Sequence, residues 1–255
     1  MKVTILGSGT STGVPMVGCT CAACSSEDPR NNRTRTSLLI RHNGRNILVD
    51  TSTDFRQQAL REQIMHIDAV LFTHSHADHV NGIDDLRGFH FLHKEIVPCY
   101  ASRDTFETLL NGFSYIFNEH EGSGYTPLLK PLYVSAPFDL FGLTVIPIPL
   151  QHGNITALGY RIGAFAYLTD CNAIPEASRP LLEGLDILII DGLRWKSHPF
   201  HFNIESVIAA VACLNPRRTI LTHLSHDVLY ADGNKLPPGF EFAYDGMEFE
   251  MRDSC

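Results

Sequence analysis

Apolar and polar positions alternate along this chain in short blocks, and the blocks change period. KVTILGSG (2–9) is an apolar run that breaks into a glycine turn, the pattern of a buried strand. SLLIRHNGRNILVDTS (37–52) sets two apolar runs around Asn43-Gly44, a strong hairpin signal. DFRQQALREQI (54–64) shifts to helical spacing with Asp54 near its start, and IDAVLFTH (67–74) is a buried strand that ends on a histidine. Further on, IVPCYAS (96–102) predicts a strand and RDTFETLLNGF (103–113) a helix. FGLTVIPIPLQHG (141–153), ALGYRIG (157–163) and AFAYLTD (164–170) predict strands. IPEASRPLLEGL (174–185) reads as a helix, DILIIDG (186–192) as a strand, NIESVIAAVACLN (203–215) as a helix and RRTILTH (217–223) as a last buried strand. No linker or repeat interrupts the series. The expectation is one α/β domain over residues 1–255, with sheets inside and helices outside. Residues 111–133 resist assignment and read as a lid-like insertion.

Composition narrows the class. Hydrophobic residues at 44% and charged residues at 19% suit a globular chain that buries a core rather than a disordered one. No apolar run approaches the ~20 residues of a membrane helix, and the N-terminus has neither signal- nor transit-peptide character, so the expected location is cytoplasmic with no membrane partner. The net charge of −8 disfavours extended nucleic-acid binding. Five arginines do fall between Arg30 and Arg45, and a small anionic substrate remains compatible with them. Seven cysteines, three of them within GCTCAACSSE (18–27), fit a metal site in a reducing compartment better than a disulfide framework. A metal bound there would pin the long polar segment 9–35, which is otherwise unusual in a compact domain.

The densest chemistry lies in LFTHSHADHVNG (71–82). His74 and His76, two apart on an extended chain, share a side and can grip one ion. Asp78 and His79 are offset and can grip a second. Imidazole and carboxylate ligands suit zinc, manganese or iron. The further ligands should also follow apolar strands, and His152, Asp170 and His223 do; Asp170 can offer one oxygen to each cation.

T-H-S-H-A-D-H, with His152, Asp170 and His223 following in order, resembles the signature of the metallo-β-lactamase fold superfamily. This resemblance covers almost the whole chain and implies an αββα sandwich with a two-metal hydrolytic site. It would give His74, His76 and His152 to the first metal, Asp78, His79 and His223 to the second, and Asp170 to both, with Asp78 counted among the catalytic residues. The first loop, G-C-x-C-x-x-C after GSGTSTGVP, resembles PhnP-like phosphodiesterases and also PqqB-like proteins. The PhnP-like pattern implies that Cys19, Cys21, Cys24 and His226 hold a structural zinc, with Cys171 as the rival fourth ligand. It also implies a homodimer.

Two divalent cations, manganese or zinc with iron also fitting, can hold a bridging hydroxide and stabilise charge on a phosphoryl group. That chemistry predicts metal-dependent hydrolysis of phosphate esters, and the PhnP-like resemblance implies a small, cyclic ester of the ribose or nucleoside kind. A group must also protonate the leaving oxygen. His201, just before a predicted helix, matches the phosphodiesterase pattern, and His198 is the alternative. Arg87 either contacts substrate phosphate or pairs with Asp84 or Asp85. Two other readings compete: a tRNA 3′-processing endoribonuclease, which shares the site, and a PqqB-like accessory or carrier protein, which would be expected to show a degraded histidine cluster.

Overall fold

The computed structural model describes residues 1–118 and 128–251. Among the described residues, fourteen strands form two seven-stranded sheets. The first holds β1 (Lys2–Gly7), β2 (Ser37–His42), β3 (Arg45–Val49), β4 (Ala69–Leu71), β5 (Val97–Ala101), β6 (Leu129–Tyr133) and β14 (Glu248–Glu250), in the order β14-β1-β2-β3-β4-β5-β6. The second holds β7 (Phe138–Leu140), β8 (Leu143–His152), β9 (Ile155–Ile162), β10 (Phe165–Leu168), β11 (Ile187–Asp191), β12 (Arg218–Thr222) and β13 (Phe240–Phe242), side by side in reverse numerical order.

The continuous apolar runs have a simple cause: the central strands are covered on both faces. Val3, Leu38, Ile47 and Leu71 of the first sheet meet Tyr160, Phe165, Ile189 and Ile220 of the second in a core between the sheets. The alternate residues Leu39, Leu48 and Val70 face outward. They pack in a second core with α1 (Phe55–Arg61), α4 (Arg103–Gly112) and α5 (Ser114–Phe117). Leu168, Leu188 and Ile190 form a third core with α6 (Ile204–Val211). Two further helices, α2 (Ala77–Val80) and α3 (Arg87–His93), follow β4. The result is the αββα sandwich expected. Among the described residues no helix is long and apolar enough to cross a membrane.

Local predictions meet the structure closely. Asn43 and Gly44 take φ of 48° and 76°, the paired left-handed conformation of a two-residue hairpin turn, and β2 and β3 pair on either side. Asp54 does sit at the start of α1, but its carboxylate accepts from the backbone N–H and guanidinium of Arg35 and makes no cap. The helix expected in 174–185 is a correction: Glu176–Leu182 is 3₁₀, because Pro180 lies inside it and has no N–H to donate. In the unassigned stretch 111–133, α5 and β6 emerge from the described residues, while 119–127, with His120, lie outside them.

The polar segment 9–35 is pinned by backbone bridges from Gly9 to Arg35 and Leu224 and from Val14 to Arg33. Arg33, only 1% exposed, donates to the carbonyls of Ser225 and Val228 and to the Asn31 side chain. Burial brings its pKa down to about 10, which leaves it charged at neutral pH.

Candidate metal centre and its supporting residues

The strand topology creates the site. β3 and β4 run parallel, as do β10, β11 and β12, and the pairing of β8 to β9 and β9 to β10 sets β8 in the same direction as β10. Each of these strands delivers a polar side chain at or just past its C-terminal end: Asp50, His74, His152, Asp170, Asp191 and His223. Asp50, Asp170 and His223 turn out of their strands with φ of 61°, 49° and 59°. This left-handed conformation costs a non-glycine residue roughly 1 kcal/mol or more, and here it aims the side chains at one point.

The donor atoms fall into two groups, each with all members within 4.8 Å of one another: His74, His76, His152 and Asp170, and Asp78, His79, Asp170 and His223. Asp170 belongs to both. Its Oδ2 lies 3.8 Å from the Nε2 of His74 and of His152 and 3.4 Å from His223 Nε2, and its Oδ1 lies 3.1 Å from His79 Nε2. Asp78 Oδ2 is 3.4 Å from His79 Nε2 and 3.7 Å from His223 Nε2. All seven residues proposed from the sequence therefore converge.

The donor set fits cations on a direct observation. The Nε2 atoms of His74, His79 and His223 and Oδ2 of Asp78 are buried, with no hydrogen-bond partner among the described residues. Buried polar atoms are rarely left unpaired, and these all point into the same small space. Burial, with the neighbouring His79, holds the His74 pKa well below its ordinary value, and burial also lowers that of His152; neutral imidazole is the form that binds metal. Burial opposes a charge on Asp170, but His223, His79 and His74 outweigh it and keep the carboxylate ionised. His79, also penalised by burial, is raised well above its usual value by Asp170, Asp78 and Asp50.

A ring of hydrogen bonds orients these groups. His79 Nδ1 lies 2.8 Å from Asp50 Oδ2, and the same carboxylate accepts from the Thr73 backbone and hydroxyl at 2.8 Å. His152 Nδ1 donates to the Phe200 carbonyl at 2.9 Å. With Nδ1 engaged, Nε2 is the face presented to the site.

His201 lies beside this cluster, its ring stacked on His223 with centroids 4.7 Å apart. Its Nδ1 is 2.7 Å from Asp191 Oδ2, which also accepts from the Cys171 backbone N–H. Burial would lower the His201 pKa, but Asp191 outweighs it and raises it to about 9. Asp50 and Asp191 are absent from the sequence-based site. Both stand at the end of an apolar strand, NILVD and LIID, the same signal that marks Asp170.

The other expectations also find places. Cys19, Cys21, Cys24 and His226 bring their donor atoms within 4.8 Å of one another, with His226 Nδ1 3.3 Å from the sulfurs of both Cys19 and Cys21. A hydrogen bond from the Cys24 backbone, aided by His226 against burial, brings the Cys21 thiol down to about 6. Three sulfurs and one imidazole match a closed tetrahedral zinc site. Cys171 lies elsewhere, buried in the outer core of the second sheet. Arg87 pairs with Asp84 at 3.4 Å, outside the cleft. His198 stands next to His201, ring centroids 5.1 Å apart.

The cluster opens into a cleft of about 400 Å³ whose walls include Ser11, His76, Asp78, Ile155, Phe200 and His201.

Known proteins resemble this chain in sequence and in fold. Residues 45–224 match the family model of the beta-lactamase superfamily domain. The crystal structure of a diphosphatase from the PhnP family superposes with a TM-score of 0.92 at 41% identity, covering 98% of each chain. Zinc-bound PqqB from Methylobacterium extorquens shares the fold, with a TM-score of 0.80 at 22% identity over 98% of this chain and 100% of that one. An octanoyltransferase of Porphyromonas gingivalis is 44% identical over 97% of this chain and 51% of its own length, so the chain spans about half of that relative.

Proposed function

The chain belongs to the beta-lactamase superfamily and, within it, to the PhnP family, and from that premise we propose that it is a two-metal hydrolase of small phosphate esters in which phosphorus carries two substituted oxygens. The observation that carries the reading is Asp170, whose carboxylate belongs to both groups of donor atoms, with Oδ1 beside His79 and Oδ2 beside His74, His152 and His223. His74, His76 and His152 would hold one divalent cation and Asp78, His79 and His223 the other, with Asp170 shared. Such a pair supplies Lewis acidity toward a phosphoryl oxygen and a nucleophile from water near neutral pH.

The chain's own residues do the rest. Asp50 and the Phe200 carbonyl fix the imidazole orientations, and strand-end backbone geometry fixes the carboxylates. His201, held protonated at neutral pH by Asp191, faces the same cleft with Nε2 available to give a proton to the departing oxygen. Such an acid matters most when the leaving group is an alkoxide, as in opening a ribose or nucleoside cyclic phosphate.

A diphosphate substrate is the second reading, favoured by the PhnP-family diphosphatase at 41% identity. Its phosphorus also carries two substituted oxygens when both ends are esterified. Octanoyl transfer belongs to the P. gingivalis relative, and we place it in the half of that protein which this chain does not span.

The test is hydrolysis by metal-loaded protein of bis(p-nitrophenyl) phosphate, nucleoside 2′,3′-cyclic phosphates, a nucleoside diphosphate sugar, a pre-tRNA and nitrocefin, with His76→Ala as blank. Turnover of the small phosphate compounds, lost in the variant, is expected. Cleavage of pre-tRNA or nitrocefin alone would overturn the proposal.

A further inference from the structure

Phe200 stands at the mouth of the cleft with 49% of its surface exposed, an expensive place for a large apolar ring. Single exposed apolar residues are common, but three features set this one apart. First, its main chain is clamped to the catalytic cluster: the carbonyl accepts from His152 Nδ1 at 2.9 Å, and the N–H points at His198 Nδ1 at 3.3 Å. Second, one side of the ring rests on Gly153. A Cβ there would fall 2.6 Å from Phe200 Cδ1, and Gly153 has φ of 58°, so glycine serves both the turn and the close approach of the ring. Third, Ile155, 40% exposed, and Asn154 line the same cleft, which adds an apolar neighbour and an amide able both to donate and to accept.

A ring supported in this way is a preformed stacking surface beside the reacting centre. We propose that Phe200 is a specificity-determining residue that stacks on a planar heteroaromatic ring of the substrate, a nucleobase, placing the preferred substrates among nucleoside-bearing phosphates rather than simple sugar phosphates. This rests on the phosphate-hydrolase reading above and deepens it. Stacking of a base on an aromatic side chain is lost on truncation to alanine, and the stabilisation is sequence-tolerant because every base presents a π-face.

The experiment compares substrates that share the scissile bond and differ only in the base: uridine 2′,3′-cyclic phosphate against methyl riboside 2,3-cyclic phosphate, and UDP-glucose against the same diphosphate carrying methyl riboside in place of uridine. Metal-loaded wild-type protein, Phe200→Ala and Phe200→Trp are assayed, with metal content measured for each. The wild type is expected to prefer the base-bearing member of whichever pair it cleaves by about tenfold or more in kcat/KM, chiefly through KM. Phe200→Ala should bring the ratio of the two efficiencies close to one, whatever loss the two members share, and Phe200→Trp should retain the preference. Equal wild-type efficiency on both members, or equal losses on both in Phe200→Ala, would overturn the stacking role and leave the hydrolase reading standing. Turnover of neither pair by protein that holds its metals would overturn the hydrolase reading and this inference with it.

Discussion

Asp50 Oδ2 lies 2.8 Å from His79 Nδ1, and both side chains are fully buried. The contact joins the end of β3 to the helix that follows β4, and it leaves only Nε2 of His79 facing the cluster. Asp50 thus orients His79, a ligand in the proposed two-metal site, without itself lying among the clustered donor atoms. Asp50→Asn is expected to lower affinity for the second metal by about 10–100-fold, and Asp50→Ala should add a stability loss from the unpaired Thr73 groups. Isothermal titration of metal into stripped protein reads the first effect, and thermal melting the second.

Protonated His201 sets the alkaline behaviour. With its pKa raised to about 9, the acid form persists through neutral pH and is lost as pH rises through that value, so kcat should fall on the alkaline side. Asp191→Asn removes the charge responsible, and the limb should move down by about one unit or more. His201→Ala should reduce turnover of alkyl-leaving substrates far more than that of p-nitrophenyl esters, whose leaving group needs no proton. Equal losses on both would assign His201 a structural role.

The Cys₃His cluster is expected to hold one zinc apart from the hydrolytic site. Cys21→Ser should remove one equivalent of zinc and lower the melting temperature, while the cleft metals stay in place. Because thiolates and neutral imidazole bind the metal, zinc affinity should weaken progressively as the pH is lowered. Metal analysis across pH checks both, and Cys171→Ser should leave zinc content unchanged.

Arg33 holds the segment that carries His226. Its guanidinium is the donor to Ser225, Val228 and Asn31, so Arg33→Met would strand buried acceptors and cost about 2–4 kcal/mol. Denaturant unfolding should show that loss, with weaker zinc retention alongside it.

Much of the candidate site is legible in the sequence because its residues obey a local rule: each is a polar residue at or just past the C-terminal end of a buried apolar strand, where the strand ends meet. His74 to His79 declare themselves by density, and His152, Asp170 and His223 by position. Asp50 and Asp191 obey the same rule and pass unnoticed, since a lone acid after a strand is also an ordinary turn residue and nothing local shows what it bonds. Phe200 sits in a polar, irregular stretch where only its long-range contact with Gly153 gives it meaning. The strands themselves are readable, but their division into two sheets depends on non-local pairing, and β13 and β14 are too short to carry a pattern. Glu176–Leu182 misleads because its helical spacing survives the proline that denies it an α-helical bond.

The central claim is that two metals, bridged by Asp170, perform phosphoryl hydrolysis. The most direct measurement is the rate of bis(p-nitrophenyl) phosphate hydrolysis as chelator-stripped protein is titrated with metal, alongside metal stoichiometry. Activity should stay near zero through the first equivalent, taken by the cysteine cluster, and plateau at three equivalents, with Asp170→Asn flat throughout. Full activity with a single metal in the histidine cluster, or undiminished activity in Asp170→Asn, would contradict it.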